Sequence, residues 1–165
     1  MLRKKLILLG APAVGKTSLI ARWVKGIFSE KYIATIGVKI EKKILPIDPE
    51  ALMLQIWDLQ GGSEIKGPFQ AYIRGAEGCL FVADGTRPET LQYVLRLRGQ
   101  ILGELGDIPF VLALNKSDVA EDWKFSSGEI GIMEKENWAV FKTSAKSGDG
   151  VEVAFLALSK RMLQK

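Results

Sequence analysis

Gly10-Ala11-Pro12-Ala13-Val14-Gly15-Lys16-Thr17 is the stretch on which the reading of this chain turns. It follows the apolar run Leu6-Ile7-Leu8-Leu9 and precedes Ser18-Leu19-Ile20-Ala21-Arg22-Trp23-Val24, whose apolar residues recur at helical spacing. Strand, glycine-bounded loop and helix, in that order, are what the pattern G-x-x-x-x-G-K-[ST] needs to bind phosphate. The glycines let the backbone curl so that successive N–H groups point inward at phosphate oxygens. The helix N-terminus adds unpaired donors and a partial positive charge. Ala13, Val14, Gly15, Lys16, Thr17 and Ser18 are therefore expected around a phosphate chain. Lys16 would reach the outer phosphates as a point charge, and the Thr17 hydroxyl would ligate Mg²⁺.

Outward from this loop, strands and helices alternate. Arg3 to Leu9 reads as a strand buried on both faces, and Lys16 to about Lys25 as a helix stopped by Gly26. Ile27 to Gly37 has no periodicity and reads as a loop. Val38–Leu45 and Ala51–Trp57 flank the turn Pro46-Ile47-Asp48-Pro49, so these two strands should pair antiparallel. Asp58 to Lys66 reads as a glycine-rich loop, with a short helix from Pro68 to Arg74. Gly78–Ala83, Pro109–Leu114 and Trp138–Lys142 read as further strands. A helix from Pro88 to Gly106 should turn Leu91, Val94, Leu95, Ile101, Leu102 and Leu105 inward. Ser127–Glu136 reads as a short amphipathic helix. Asp149 with Glu152 would cap the last one, whose inward residues are Val151, Ala154, Phe155, Leu158 and Met162. The pattern predicts an α/β fold with a six-stranded, mostly parallel sheet, one antiparallel hairpin and helices on both faces.

In such a sheet, ligands bind beyond the carboxyl ends of the strands. Asp58-Leu59-Gln60-Gly61, Asn115-Lys116-Ser117-Asp118 and Thr143-Ser144-Ala145-Lys146 all stand there with the phosphate loop. Asp58 suits Mg²⁺, and Gly61 lets a backbone N–H approach the terminal phosphate. Asp118 offers two acceptor oxygens that match the N1–H and 2-amino donors of guanine; adenine lacks that pair. Asn115 would tie the loops together, the Lys116 stem would lie across the base, and the Ala145 N–H would bind guanine O6. A nucleotide kinase or an ATPase would share the phosphate loop, and the choice of base separates these readings.

Composition narrows the class. The length of 165 residues fits a single domain spanning 1–165, with the hydrophobic and charged content of an ordinary globular protein. No apolar run approaches the ~20 residues of a bilayer span, and Leu6–Leu9 is too short for a signal peptide. The single cysteine, Cys79, excludes an internal disulfide and fits a reducing, cytoplasmic setting; within Cys79-Leu80-Phe81-Val82-Ala83 it reads as a small buried hydrophobe. The net charge of +4 comes from scattered basic residues without aromatic interleaving, so no nucleic-acid partner is expected. Without a C-terminal cysteine or a glycine after Met1, no lipid anchor is expected in this chain.

The five motifs in this order resemble those of the Ras-superfamily small GTPases, and the resemblance, Rab-like in feel, covers essentially the whole chain. Tyr32-Ile33-Ala34-Thr35-Ile36-Gly37-Val38 resembles the family's first switch, and Leu54-Gln55-Ile56-Trp57-Asp58 the strand leading into its second. Tyr72-Ile73-Arg74-Gly75-Ala76 resembles the segment just after that second switch. The resemblance implies a P-loop small G domain that binds GTP, GDP and Mg²⁺ and hydrolyses GTP. It implies metal ligation by Thr17, Thr35 and Asp58, and γ-phosphate contacts from Lys16, Thr35 and Gly61 as the catalytic set. The implied nucleotide site also includes Phe28, packed on the base, with Asn115, Lys116, Asp118, Ser144, Ala145 and Lys146. It further implies effectors, an exchange factor and an activating protein, with Ile40, Trp57 and Tyr72 forming an apolar docking patch.

Two positions depart from the family pattern. The second switch should read D-x-x-G-Q, its glutamine orienting the attacking water, but Gly62 stands in the glutamine's place. Losing one preorganised polar group costs on the order of 10²–10³ in rate, so slow intrinsic hydrolysis is expected. A partner would supply a glutamine or arginine in trans, or Ser63 or Glu64 would substitute. The alternative is a pseudo-GTPase that holds nucleotide without turnover. Pro12, the second departure, removes one N–H from the loop.

Overall fold

In the computed structural model, which describes residues 1–164, the apolar runs form strands β1 Leu2–Gly10, β2 Val38–Leu45, β3 Leu52–Leu59, β4 Gly78–Asp84, β5 Phe110–Asn115 and β6 Val140–Lys142. Between and after them lie α1 Lys16–Lys25, α2 Pro68–Ile73, α3 Pro88–Leu105, α4 Ser127–Lys135 and α5 Val151–Leu163, with a 3-10 turn at Ala120–Asp122. The expected domain span ends on Lys165, which lies outside the described residues.

The six strands form one sheet in the order β2-β3-β1-β4-β5-β6. Among the described residues only β2 and β3 pair antiparallel, and the other pairings are parallel. The parallel strands are apolar on both faces because each face is covered. Leu6 and Leu8 of β1 turn to the side of α1 and α5, where Leu19, Trp23, Phe155 and Leu158 are buried. Ile7 and Leu9 turn to the other side, with Ile73 of α2, Val94 and Ile101 of α3, and Ile130 of α4. Cys79 is fully buried there, and burial pushes its thiol well up, as befits a packing residue. Among the described residues no helix is long and apolar enough to cross a membrane.

Three local expectations are corrected. Leu95 and Leu102 are 42% and 48% exposed; the inward stripe of α3 is Thr90, Leu91, Val94, Leu97 and Ile101, which follows the helical period more closely. The Asp149–Glu152 cap of α5 does not form, because Gly150 is the N-cap residue, in left-handed conformation with φ 71°. The chain reverses so tightly there that a Cβ on Gly150 would stand 2.1 Å from the Lys142 carbonyl oxygen. Asp149 instead closes the preceding turn, its carbonyl accepting from the Ser144 N–H at 2.9 Å. Finally, β3 continues through Asp58 and Leu59, so the glycine-rich loop starts at Gln60. The reason is pairing: Val38 opposes Leu59 and Lys39 opposes Asp58 on β2.

Candidate functional site

Parallel order brings the carboxyl ends of β1, β3, β4 and β5 to one rim, and the polar clusters stand there together. Beside them is a cavity of about 520 Å³, lined among others by Ala13, Gly15, Lys16, Thr17, Ser18, Phe28, Thr35 and Gly61. Its volume is in the range of small-ligand sites. Lys16 is 7% exposed, and its ammonium hydrogen-bonds among the described residues only at long distance, to the Gly10 carbonyl at 3.5 Å and the Ala11 carbonyl at 3.4 Å. Burial lowers its pKa, with Asp58 partly offsetting the effect. Phe28 is half-buried and also packs against the core beneath α1.

Thr17, Thr35 and Asp58 converge next to Lys16. The Thr17 hydroxyl donates to Asp58 Oδ2 and lies 2.8 Å from the Thr35 hydroxyl, which is 3.3 Å from the same carboxylate oxygen. Asp58 Oδ1 is buried and has no hydrogen-bond partner among the described residues. Burial raises the Asp58 pKa, against the hydrogen bond from Thr17 and the charge of Lys16. One carboxylate and two hydroxyls are hard oxygen donors, and the orphaned Oδ1 gives a further acceptor; the set fits Mg²⁺.

On the other side of the phosphate loop, Asn115 is the tie between loops. Its Nδ2 donates to the Val14 carbonyl at 2.9 Å, and its Oδ1 accepts from the Thr143 hydroxyl at 3.0 Å. The Lys116 ammonium sits 2.9 Å from the Ala13 carbonyl and 2.9 Å from Asp84 Oδ2. Asp118 is exposed, and its Oδ1 is oriented by the Ser144 hydroxyl at 2.8 Å. Ala145 is buried, while the Lys146 ammonium pairs with Glu30 at 3.0 Å. These residues stand outside the 520 Å³ cavity, joined to it through Asn115 and Lys116.

The segment after Gly61 bears on hydrolysis. The Gly62 N–H donates to the Gly10 carbonyl at 3.2 Å, with φ at 77°. A Cβ on Gly62 would meet Pro12 Cδ and Cγ at 3.1 Å, and one on Gly61 would meet Pro12 backbone at 2.8 Å. Pro12 and the two glycines therefore occupy one another's side-chain space. Gln60 is fastened to Gly37: its Oε1 accepts from the Gly37 N–H at 3.0 Å, while its own N–H donates to the Gly37 carbonyl at 2.9 Å.

A family model described as the Ras family matches residues 5–164. The chain belongs to the Ras family. It is similar to the Ras-related protein Rab-7b of Mus musculus, 35% identical over 96% of this chain and 82% of that protein. The human protein of the same name is 33% identical over 98% of this chain and 83% of its own length. The chain is thus a Rab-like member of a family of small GTP-binding switch proteins. Members of the family hydrolyse GTP, bind GTP, GDP and Mg²⁺, and work with effectors, exchange factors and activating proteins.

For this Ras-family chain, sequence reasoning missed Asp84 and Arg87. Asp84 is 1% exposed and lies in register with Asn115, so its place at the end of β4 was a usable signal. Its Oδ2 takes the Arg87 Nε at 3.0 Å, and Arg87 Nη2 donates to the Pro12 carbonyl at 2.9 Å. No residue spacing announces that second contact, which spans 75 positions.

Proposed function

We propose that this chain is a single-domain guanine-nucleotide switch that binds GTP and GDP with Mg²⁺ and hydrolyses GTP slowly. The observation that carries the reading is the convergence of Thr17, Thr35 and Asp58 oxygens beside Lys16. Thr17, Thr35 and Asp58 would hold Mg²⁺, which when bound neutralises phosphate charge. Lys16 stabilises negative charge on the outer phosphates, and the Gly61 N–H contacts the terminal one. Phe28 packs on the base and Asp118 binds its N1–H and 2-amino groups, oriented by Ser144. Ala145 binds O6, the Lys116 stem lies across the base, Asn115 ties the surrounding loops together, and Lys146 completes the nucleotide site.

Thr35 and Gly61 both face the γ-phosphate in this arrangement, so its loss releases both loops. Ile40, Trp57 and Tyr72 form the effector-facing patch. Ile40 is exposed and opposes Trp57 in the sheet, and the Lys5 ammonium, 3.7 Å from the Trp57 ring centre, bonds the Tyr72 carbonyl. An activating partner supplies the glutamine or arginine that Gly62 lacks. Ser63 or Glu64 is the alternative source; Glu64 is exposed and pairs with Lys66 at 2.8 Å.

Competition between GTP and ATP for the purified chain, with and without Mg²⁺, tests the binding reading. GTP should win, and Asp118→Ala should remove most of its advantage; tighter ATP binding would refute the role of Asp118. The contact of Pro12 with Gly62 favours a second reading, a pseudo-GTPase. Single-turnover hydrolysis, alone and with cell extract, separates the two: acceleration by extract supports the switch, and no turnover under any condition supports the binding module.

A further inference from the structure

Arg22 belongs to α1, directly behind the phosphate loop, yet its guanidinium serves a different loop. Nε donates to the Ala145 carbonyl at 2.7 Å, and Nη2 donates to the Lys146 carbonyl. These are successive carbonyls of the turn after β6. Within that turn the Ser144, Ser147 and Gly148 N–H groups are all engaged, by the Asp149 carbonyl at 2.9 Å, the Ser144 hydroxyl at 3.0 Å and the Ser144 carbonyl at 2.8 Å. The N–H groups of Ala145 and Lys146 make no hydrogen bond among the described residues. They are the turn's spare donors.

The Ala145 carbonyl and the Lys146 N–H share one planar trans peptide, so they point in opposite directions. Fixing that carbonyl on Arg22 fixes the Lys146 N–H on the side of the turn away from α1. A rigid guanidinium fork can grip two neighbouring carbonyls at once, and its charge strengthens both bonds. Next to these donors, Ser144 holds Asp118 at 2.8 Å, so the turn and the carboxylate form one unit.

We propose that Arg22 is a positioning residue for base recognition, aiming the Lys146 N–H, beside that of Ala145, at the O6 carbonyl of guanine. The inference rests on the guanine reading above and deepens it. Two donors on O6 reject adenine, whose amino group at that position would place donor against donor.

Competition binding against a fluorescent GDP tests it, using the wild-type chain, Arg22→Ala and Arg22→Lys. Three competitors are needed: GTP, inosine triphosphate, which keeps O6 and lacks the 2-amino group, and 2-aminopurine riboside triphosphate, which lacks O6. Arg22→Ala should weaken GTP and inosine triphosphate by about 10-fold, the size of one hydrogen bond, and change the 2-aminopurine analogue by about two-fold at most. Arg22→Lys should fall between, because one ammonium cannot reproduce the fork. Amide exchange at Lys146 in the GDP-loaded chain should be faster in Arg22→Ala. Equal weakening of all three competitors, or no change in any, overturns the proposal. A wild-type chain that does not prefer GTP to ATP overturns the guanine reading instead.

Discussion

At position 62 the space a side chain would need is shared with the Pro12 ring. Gly62 has a φ of 77°, which L side chains rarely adopt, and its Cβ direction is filled by the Pro12 ring at 3.1 Å. A glutamine placed there alone would be strained by that φ and crowded against the Pro12 ring. Gly62→Gln should therefore leave single-turnover GTP hydrolysis within about three-fold of wild type, while Pro12→Gly with Gly62→Gln should raise it by about 10²-fold. Quench-flow measurement of phosphate release on GTP-loaded protein checks both. Equal acceleration by Gly62→Gln alone would show that Pro12 does not matter. The expectation of a missing glutamine comes from the sequence, where Gly62 directly follows Gly61. That Pro12 crowds this position does not, because the two positions are 50 residues apart in the chain and meet only when the carboxyl rim assembles.

The two switch-like loops are elements with specific fastenings. Gln60 closes onto Gly37 with both its N–H and its side-chain oxygen, extending the β2–β3 ladder by one step. The next loop residues are tied to α3, where the Tyr93 hydroxyl donates to the Ser63 carbonyl at 3.1 Å. Gln60→Ala removes the acceptor for the Gly37 N–H, worth about 1 kcal/mol locally. Amide exchange at Gly37 should then speed up by about five-fold, with exchange in β4 unchanged. Uniform acceleration through the sheet would instead mean that Gln60 contributes to global stability. Helix and strand identities were legible because their periods are local. The fastenings were not: a glutamine side chain that stands in for a ladder carbonyl leaves no periodic trace. The α5 cap failed for a related reason, since Asp149 had the right composition but its carbonyl and N–H were already committed to the Ser144–Ser147 turn.

Over the whole molecule, the two-faced sheet and the rim charges set stability. Ile7 and Leu8 are adjacent, point to opposite faces and are both fully buried. Ile7→Ala and Leu8→Ala should each cost about 3 kcal/mol in urea unfolding, where a sheet with one wet face would lose stability at only one of them. Asp84 links β4 to Lys116 and, through Arg87, to the phosphate loop. Burial pushes its carboxyl up, but hydrogen bonds from Thr86, Lys116 and Arg87 outweigh this and hold it below the usual carboxylate range. Asp84→Asn should cost about 2 kcal/mol at neutral pH. A carboxylate whose folded pKa is depressed contributes fully above its unfolded value of about 3.9, and loses that contribution as pH falls through the folded pKa. The gap between wild type and Asp84→Asn in urea midpoint should therefore close in acid below about pH 4. A constant gap would locate the effect in packing. By itself the sequence determined the order and type of the elements, the phosphate loop and the polar clusters at strand ends, because periodicity and motif spacing are properties of neighbouring residues. Only the tertiary structure decided which distant groups share a contact: Pro12 against Gly62, Asp84 with Lys116, and Arg22 on the Ala145 turn. Those contacts arise where parallel strands bring their carboxyl ends to one rim, and no local pattern encodes a distance across it.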